Sequence, residues 1–137
     1  DDTIDIIATD HAPHNVVDKQ VEYQHACFGI VGLETALPLT LRLVQENRLT
    51  LPRAIEKITS TPASIFNLDA GTLSVGKFAD VVIFNPETIQ DHATFAKPHQ
   101  LSTGVHHVFV NGVQVLKDSE HTGATPGKVV RGPGYKK

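Results

Sequence analysis

This 137-residue chain has a single cysteine, no long apolar run and no excess of basic residues. The single cysteine, Cys27, excludes an internal disulfide and is typical of a reducing compartment, so we expect a cytoplasmic protein. No apolar run has the length of a membrane span, and we find no signal-peptide pattern. A formal net charge of −3 with scattered lysines and arginines argues against nucleic acid and anionic membranes as partners. We therefore expect a small-molecule substrate.

The first half of the chain predicts one buried strand, a long loop and two main helices. The apolar segment Ile4–Thr9 is typical of a strand that is covered on both faces of a parallel sheet. Residues 12–29 show no period and predict a loop of the length that usually serves a function. Apolar residues at spacings of three and four predict a helix over 33–48. A second helix is predicted to start at Thr50 and to end at Thr61-Pro62, before a short helical turn.

The second half of the chain changes to β character after Gly71. β-branched residues predict a strand over 80–84, and two further runs flank Asn111-Gly112, the dipeptide that best specifies a tight hairpin turn. The glycine- and proline-rich tail from His121 predicts a surface extension. A single parallel-type strand cannot pair with itself, so we interpret the chain as the end of a longer α/β protein.

Three potential metal ligands, Asp10, His11 and His14, directly follow the first predicted strand. A carboxylate at the carboxyl end of a buried strand can bind a cation such as zinc and can take a proton from metal-bound water. Since Asp10 and His11 are adjacent, they point to opposite sides if the strand continues, and all three residues cannot easily share one ion. The alternative is that Asp10 caps a turn and that both histidines are solvated loop residues.

Two segments, IDIIATDHAPH and FGIVGLETALPL, together resemble the last barrel strand and following loop of dihydroorotases. These are amidohydrolase-superfamily enzymes with a metal centre in a (β/α)₈ barrel. A third segment, GTLSVGKFADVVIFNP, is similar to the general amidohydrolase ending, where the chain leaves the barrel and completes a small β-sandwich. The resemblance implies an α/β fold class. It assigns residues 1–68 to the last strand, active-site loop and helices of the barrel, and residues 69–137 to the C-terminal part of the β-sandwich with its tail.

The resemblance also implies a role for individual residues. Asp10 would ligate the catalytic metal and act as general base and acid, passing a proton from the attacking hydroxide to the leaving nitrogen. His14 would bind the substrate carboxylate, Phe28 and Gly29 would contact the substrate from the loop, and His11 would support the site without ligating the metal. The implied cofactor is zinc, as one or two ions. Most of its ligands lie outside this chain, which has no His-x-His pair.

The two parts of the chain indicate different substrates. The first fifty residues resemble dihydroorotases, which convert dihydroorotate and water to N-carbamoyl-L-aspartate in pyrimidine synthesis. From Ile55 onward the chain resembles D-aminoacylases, which cleave N-acyl-D-amino acids. Because the first part would line the active site, we expect a dihydroorotase-like cyclic amide hydrolase.

The alternatives are an N-acyl-D-amino-acid deacylase, an allantoinase- or hydantoinase-type amidohydrolase, and a non-catalytic dihydroorotase-like scaffold subunit. The remainder of the same protein, or further copies of it, would be the protein partners. Most of the metal ligands would come from outside the 137 residues, so we expect these residues alone to be inactive.

Overall fold

The computed structural model describes residues 3–131 and 134–136, and these form a helical half followed by a sheet half. Residues 132, 133 and 137, part of the predicted tail extension, lie outside the described residues. The helices are α1 (Val16–Lys19), α2 (Leu33–Gln45), α3 (Leu51–Ile58) and α4 (Ser60–Ile65), with a 3₁₀ turn at Tyr23–His25. The strands are β1 (Val81–Phe84), β2 (Val105–Val110), β3 (Val113–Lys117) and β4 (Glu120–His121). Within the described residues, no helix is both long and apolar enough to cross a membrane.

Helices α2, α3 and α4 pack successively and bury the small apolar core of this half, in which Leu41 and Ala54 are almost fully enclosed. The predicted helix over 33–48 is confirmed, but it ends at Gln45. The prediction that Thr61-Pro62 ends the second helix is wrong. Helix α3 already ends at Ile58, and Thr61-Pro62 lies in the first turn of α4. A proline is tolerated there because the first-turn N–H groups have no partner within the helix.

The predicted strand Ile4–Thr9 forms no ladder with any other described segment. It is held by α3 instead, because the Ile7 amide donates to the Lys57 carbonyl at 3.0 Å and the buried Lys57 ammonium donates to the Ile4 carbonyl. Beyond it, a single parallel bridge pairs His11 with Ile30. A strand requires a neighbouring strand to pair with, and the described part of the chain offers the Ile4–Thr9 segment none.

Strands β1 to β4 form an antiparallel sheet in the order β1-β2-β3-β4, so that each strand pairs with its neighbour in sequence. The predicted hairpin turn is confirmed: Asn111 and Gly112 join β2 to β3 with φ angles of 48° and 79°. Positive φ at both central residues is what this type of two-residue turn needs. The Asp80 carboxylate accepts a hydrogen bond from the Asn111 amide at 2.7 Å and thereby fixes the turn against the start of β1.

Large apolar side chains are exposed in both halves of the described chain. Tyr23 and Phe28 are 92% and 90% exposed, and Phe95 is fully exposed. The apolar residues that are buried among those described are few: Leu41, Ala54, Ala63 and Ile89. A soluble monomer rarely leaves so much apolar surface in water, so these surfaces are suited to contacts with further protein.

Candidate functional site

Asp10 stands where the Ile4–Thr9 segment turns toward the loop. Its φ of 48° lies in the left-handed region, which aspartate tolerates better than most non-glycine residues. The next amide, that of His11, donates to the Thr9 hydroxyl at 3.2 Å. This turn leaves Asp10 exposed at the end of the segment, where its carboxylate is available to a ligand.

His11 links the Asp10 turn to the start of α2. Its Nδ1 accepts a hydrogen bond from the Gly32 amide at 2.9 Å, and the neighbouring Ala12 amide donates to the Ile30 carbonyl at 2.9 Å. Since Nδ1 accepts, the neutral ring carries its proton on Nε2 and offers a donor there. In this arrangement neither ring nitrogen of His11 has a lone pair free for a metal.

His14, Phe28 and Gly29 lie together at the two ends of the loop. Gly29 has a φ of 123°, and a Cβ built on it would lie 3.2 Å from His14 Nε2. The same Cβ would lie 2.6 Å from the Ala12 carbonyl oxygen, so any side chain here would collide with the backbone. Phe28 directly precedes Gly29 in the sequence, and its side chain is exposed. The structure thus brings the three residues that the resemblance assigns to substrate binding into one place.

Lys19 is a residue of this loop that sequence reasoning missed. Its ammonium donates to the carbonyls of Cys27 and Gly29, both at 2.6 Å. The sequence does contain a signal, because Lys19 is the one lysine or arginine within residues 12–29. Without the fold, nothing in the sequence indicates that this charge lies against the far end of the loop.

The donor set for a metal ion is incomplete within the described residues. Nowhere in residues 3–131 and 134–136 do three or more histidine, cysteine, aspartate or glutamate side chains come together around a possible ion. Asp10 is an exposed carboxylate, which suits zinc, whereas His11 is engaged through Nδ1. The chain therefore fits a metal centre as the source of one ligand, with the others supplied from elsewhere.

A perturbed carboxyl group lies away from this loop, between α4 and β1. The Lys77 ammonium donates to Asp69 at 2.8 Å, and this hydrogen bond and its charge lower the pKa of Asp69. Since the folded pKa is lowered, the pair stabilises the fold above the normal aspartate pKa, and the contribution is lost as the pH falls through the lowered value. Asp69 is solvent-exposed, so water and salt screen this contribution, and we assign the pair a local structural role.

Comparison with known proteins identifies the family. A sequence model described as the Amidohydrolase family matches residues 1–116. The chain belongs to this family. Among curated relatives, the dihydroorotase of Syntrophotalea carbinolica is 58% identical over 87 residues, and that of Geobacter metallireducens is 52% identical over 87 residues. Each alignment covers 64% of this chain and 20% of the relative, so the chain spans about a fifth of the length of these dihydroorotases.

Solved structures of other family enzymes share the fold. A D-aminoacylase matches with a TM-score of 0.60 and 36% identity, over 64% of this chain and 19% of that chain. The L-hydantoinase of Arthrobacter aurescens matches with a TM-score of 0.69 and 28% identity, over 86% of this chain and 30% of that chain. The N-acyl-D-glutamate deacylase of Bordetella bronchiseptica, solved with zinc and a phosphonate inhibitor, matches with a TM-score of 0.53 and 40% identity, over 56% of this chain and 17% of that chain.

These neighbours are amidohydrolases of the barrel type. A binuclear metal centre is described for a D-aminoacylase, and the N-acyl-D-glutamate deacylase was solved with zinc. The resemblance to both dihydroorotases and D-aminoacylases is confirmed. The fold class agrees with that of the neighbouring enzymes, while the described part of this chain itself shows helices followed by an antiparallel sheet.

Proposed function

We propose that the chain is the C-terminal part of a dihydroorotase-like cyclic amide hydrolase that opens dihydroorotate with water to N-carbamoyl-L-aspartate. The observation that carries the proposal is the proximity of His14 Nε2 to Gly29, with Phe28 exposed directly before Gly29 in the sequence and Asp10 exposed at the start of the same loop. His14 offers a hydrogen-bond donor for a substrate carboxylate, and Phe28 offers an aromatic ring. Gly29 leaves the backbone open next to them, and together these groups suit a small cyclic substrate that carries a carboxylate. The identity of over 50% to dihydroorotases supports the same substrate.

The proposed architecture divides the chain into two parts. Residues 1–68 would supply the last strand, active-site loop and helices of a (β/α)₈ barrel, and residues 69–137 part of a β-sandwich with its tail. The described helices pack on helices and the strands on strands, which supports the division. The segment Ile4–Thr9 has its backbone fixed by α3 but no ladder partner among the described residues, as a barrel strand without its neighbours would.

In the proposed mechanism, Asp10 is a metal ligand and moves the proton. When bound, zinc would polarise the amide carbonyl and lower the pKa of the attacking water. We propose one or two zinc ions, and the zinc in the Bordetella bronchiseptica deacylase supports the choice of this metal. Asp10 takes a proton from the attacking water and delivers it to the leaving ring nitrogen. His14 donates a hydrogen bond to the substrate carboxylate, while Phe28 and Gly29 contact the ring. His11 holds the Asp10 turn on α2 through the Gly32 amide.

A second candidate function is deacylation of N-acyl-D-amino acids. The observation favouring it is the structural match to a D-aminoacylase and an N-acyl-D-glutamate deacylase at 36% and 40% identity. The hydantoinase match favours a related cyclic amide as substrate. Under each of these proposals the substrate is a small molecule and the protein acts in the cytoplasm. The protein partners are the remainder of the same protein or further copies of it.

Steady-state assays of the full-length, zinc-loaded protein decide between these substrates. We expect turnover of dihydroorotate and of its reverse substrate, N-carbamoyl-L-aspartate, to exceed that of N-acyl-D-amino acids and hydantoins. Turnover of only the latter compounds would overturn the dihydroorotase proposal. No turnover of any of them would favour a non-catalytic scaffold subunit.

Replacement of Asp10 tests the mechanism. Asp10→Asn keeps the size of the side chain but cannot carry the proton, so we expect kcat to fall by about 10²- to 10⁴-fold. Asp118→Asn is the matched control, because Asp118 is an exposed aspartate in the turn between β3 and β4, and its kcat should stay near that of the parent protein. An Asp10→Asn enzyme with parental kcat contradicts the assignment.

A further inference from the structure

Lys19 makes contacts to which the proposed mechanism gives no role. One ammonium group donates to the carbonyl of Cys27 and to that of Gly29, and these two carbonyls flank Phe28. We propose that Lys19 is a positioning residue, which fixes Phe28 and Gly29 in the conformation that binds the substrate. This inference rests on the proposed function, since it names the residue that organises the same substrate loop.

Lys19 supplies two of the hydrogen bonds that hold the far end of the loop, and the Ala12 amide adds one to the next carbonyl, that of Ile30. Phe28 is 90% exposed, so packing within the described chain cannot fix its ring. The Cys27 amide donates to the Asp18 carbonyl at a longer 3.3 Å. Consecutive residues 18 and 19 therefore bind the segment 27–29, one through its backbone and the other through its side chain.

The lysine itself is held in place by a short helix. Helix α1 ends at Lys19 and is capped at its other end by Asn15, whose side chain accepts from the Asp18 amide at 3.0 Å. His14 directly precedes this cap, and its Nε2 lies close to Gly29 from the opposite end of the loop. Helix α1 is a single turn that follows His14 and ends with Lys19. Residues on both sides of this turn therefore lie close to Gly29.

The chemistry of these contacts favours a cationic donor. An ammonium has three N–H groups and can satisfy two carbonyl oxygens at once, and hydrogen bonds from a charged donor are stronger than neutral ones. Methionine is close to lysine in length but has no donor, while arginine keeps both the charge and the N–H groups. The pair Lys19→Met and Lys19→Arg thus separates the donor from the bulk of the side chain.

The test uses the full-length protein with three variants and two independent measurements. Lys19→Met and Lys19→Arg are compared with Lys117→Met, a control in which an exposed lysine at the end of β3 is changed in the same way. Hydrogen exchange followed by mass spectrometry reports the mobility of segment 27–30 without reference to activity. KM and kcat for dihydroorotate are then measured on each protein.

For Lys19→Met we expect exchange in segment 27–30 to accelerate about tenfold, and KM to rise by a similar factor with kcat within about twofold of the parent. Lys19→Arg should restore most of both values, and Lys117→Met should change neither. Unchanged exchange in Lys19→Met overturns the inference, as does faster exchange with an unchanged KM. A parent protein that does not turn over dihydroorotate refutes the proposed function instead, and the exchange measurement still decides whether Lys19 fixes the loop.

Discussion

Gly29 illustrates how a single residue can set the geometry of the candidate site. Both its positive φ and the closeness of the Ala12 carbonyl exclude a side chain. We therefore expect Gly29→Ala to lower the free energy of unfolding of the full-length protein by about 1–3 kcal/mol more than Gly76→Ala does. Gly76 has a φ of 90°, but no atom lies within 4 Å of the position that a Cβ would take there, so it shares the backbone strain without the collision.

Urea denaturation of the two alanine variants measures this difference. Equal losses of stability would show that the contact with Ala12 relaxes at little cost and that the loop is less closely packed than its geometry indicates.

The residue types of the candidate site were predictable from the sequence, but their contacts were not. Asp10 and His14 stand in a recognisable order after an apolar segment, and Phe28 and Gly29 follow at the end of the loop. The hydrogen bond from the Gly32 amide to His11 Nδ1 joins residues that are 21 positions apart. The hydrogen bond from Lys19 to the Gly29 carbonyl forms only because the chain reverses direction between them. Such contacts depend on the path of the backbone over many residues, and no local sequence pattern predicts them.

At the scale of elements, the β2–β3 turn combines a left-handed residue with a hydrogen bond to the tail. Asn111 has a φ of 48°, and its side-chain amide donates to the Pro126 carbonyl at 2.9 Å. Asn111→Ala should therefore destabilise the full-length protein by about 2 kcal/mol. Asn67→Ala, at a φ of 53°, is the matched control and should cost about 1 kcal/mol, the backbone part alone.

Urea denaturation of both variants gives the comparison. If the two asparagine replacements cost the same, the contact with Pro126 contributes nothing and the tail is not anchored through this turn.

The elements that neighbouring residues in the sequence specify were predicted correctly, and those that depend on pairing with distant segments were not. The hairpin at Asn111-Gly112 and the start of α3 after Thr50 follow from residues next to one another. The Ile4–Thr9 segment has the composition of a buried strand, yet a ladder needs neighbours that the described chain does not contain. The prediction that Thr61-Pro62 ends the second helix was wrong for a related reason. A proline can end one helix or lie in the first turn of the next, depending on where the preceding helix stops.

At the scale of the whole molecule, the apolar surface predicts how the 137 residues behave alone. Exposed Tyr23 and Phe28 lie in the loop of residues 12–29 and exposed Phe95 lies in the second half of the chain, while the described core is small. We expect the isolated chain to bind the dye ANS strongly, to self-associate in sedimentation experiments and to show no turnover. The full-length protein is the control and should bind little dye. A monomeric isolated chain that binds no dye would contradict this expectation.

The contact between Lys57 and the first segment also sets an order of events during protein synthesis. The Ile4 carbonyl and the Ile7 amide find their partners on a residue about fifty positions later. The backbone leading to Asp10 is therefore fixed only after α3 has left the ribosome. A nascent chain stalled between α2 and α3 would already hold the Asp10 turn through His11, but the segment leading to it would lack its hydrogen bonds to α3.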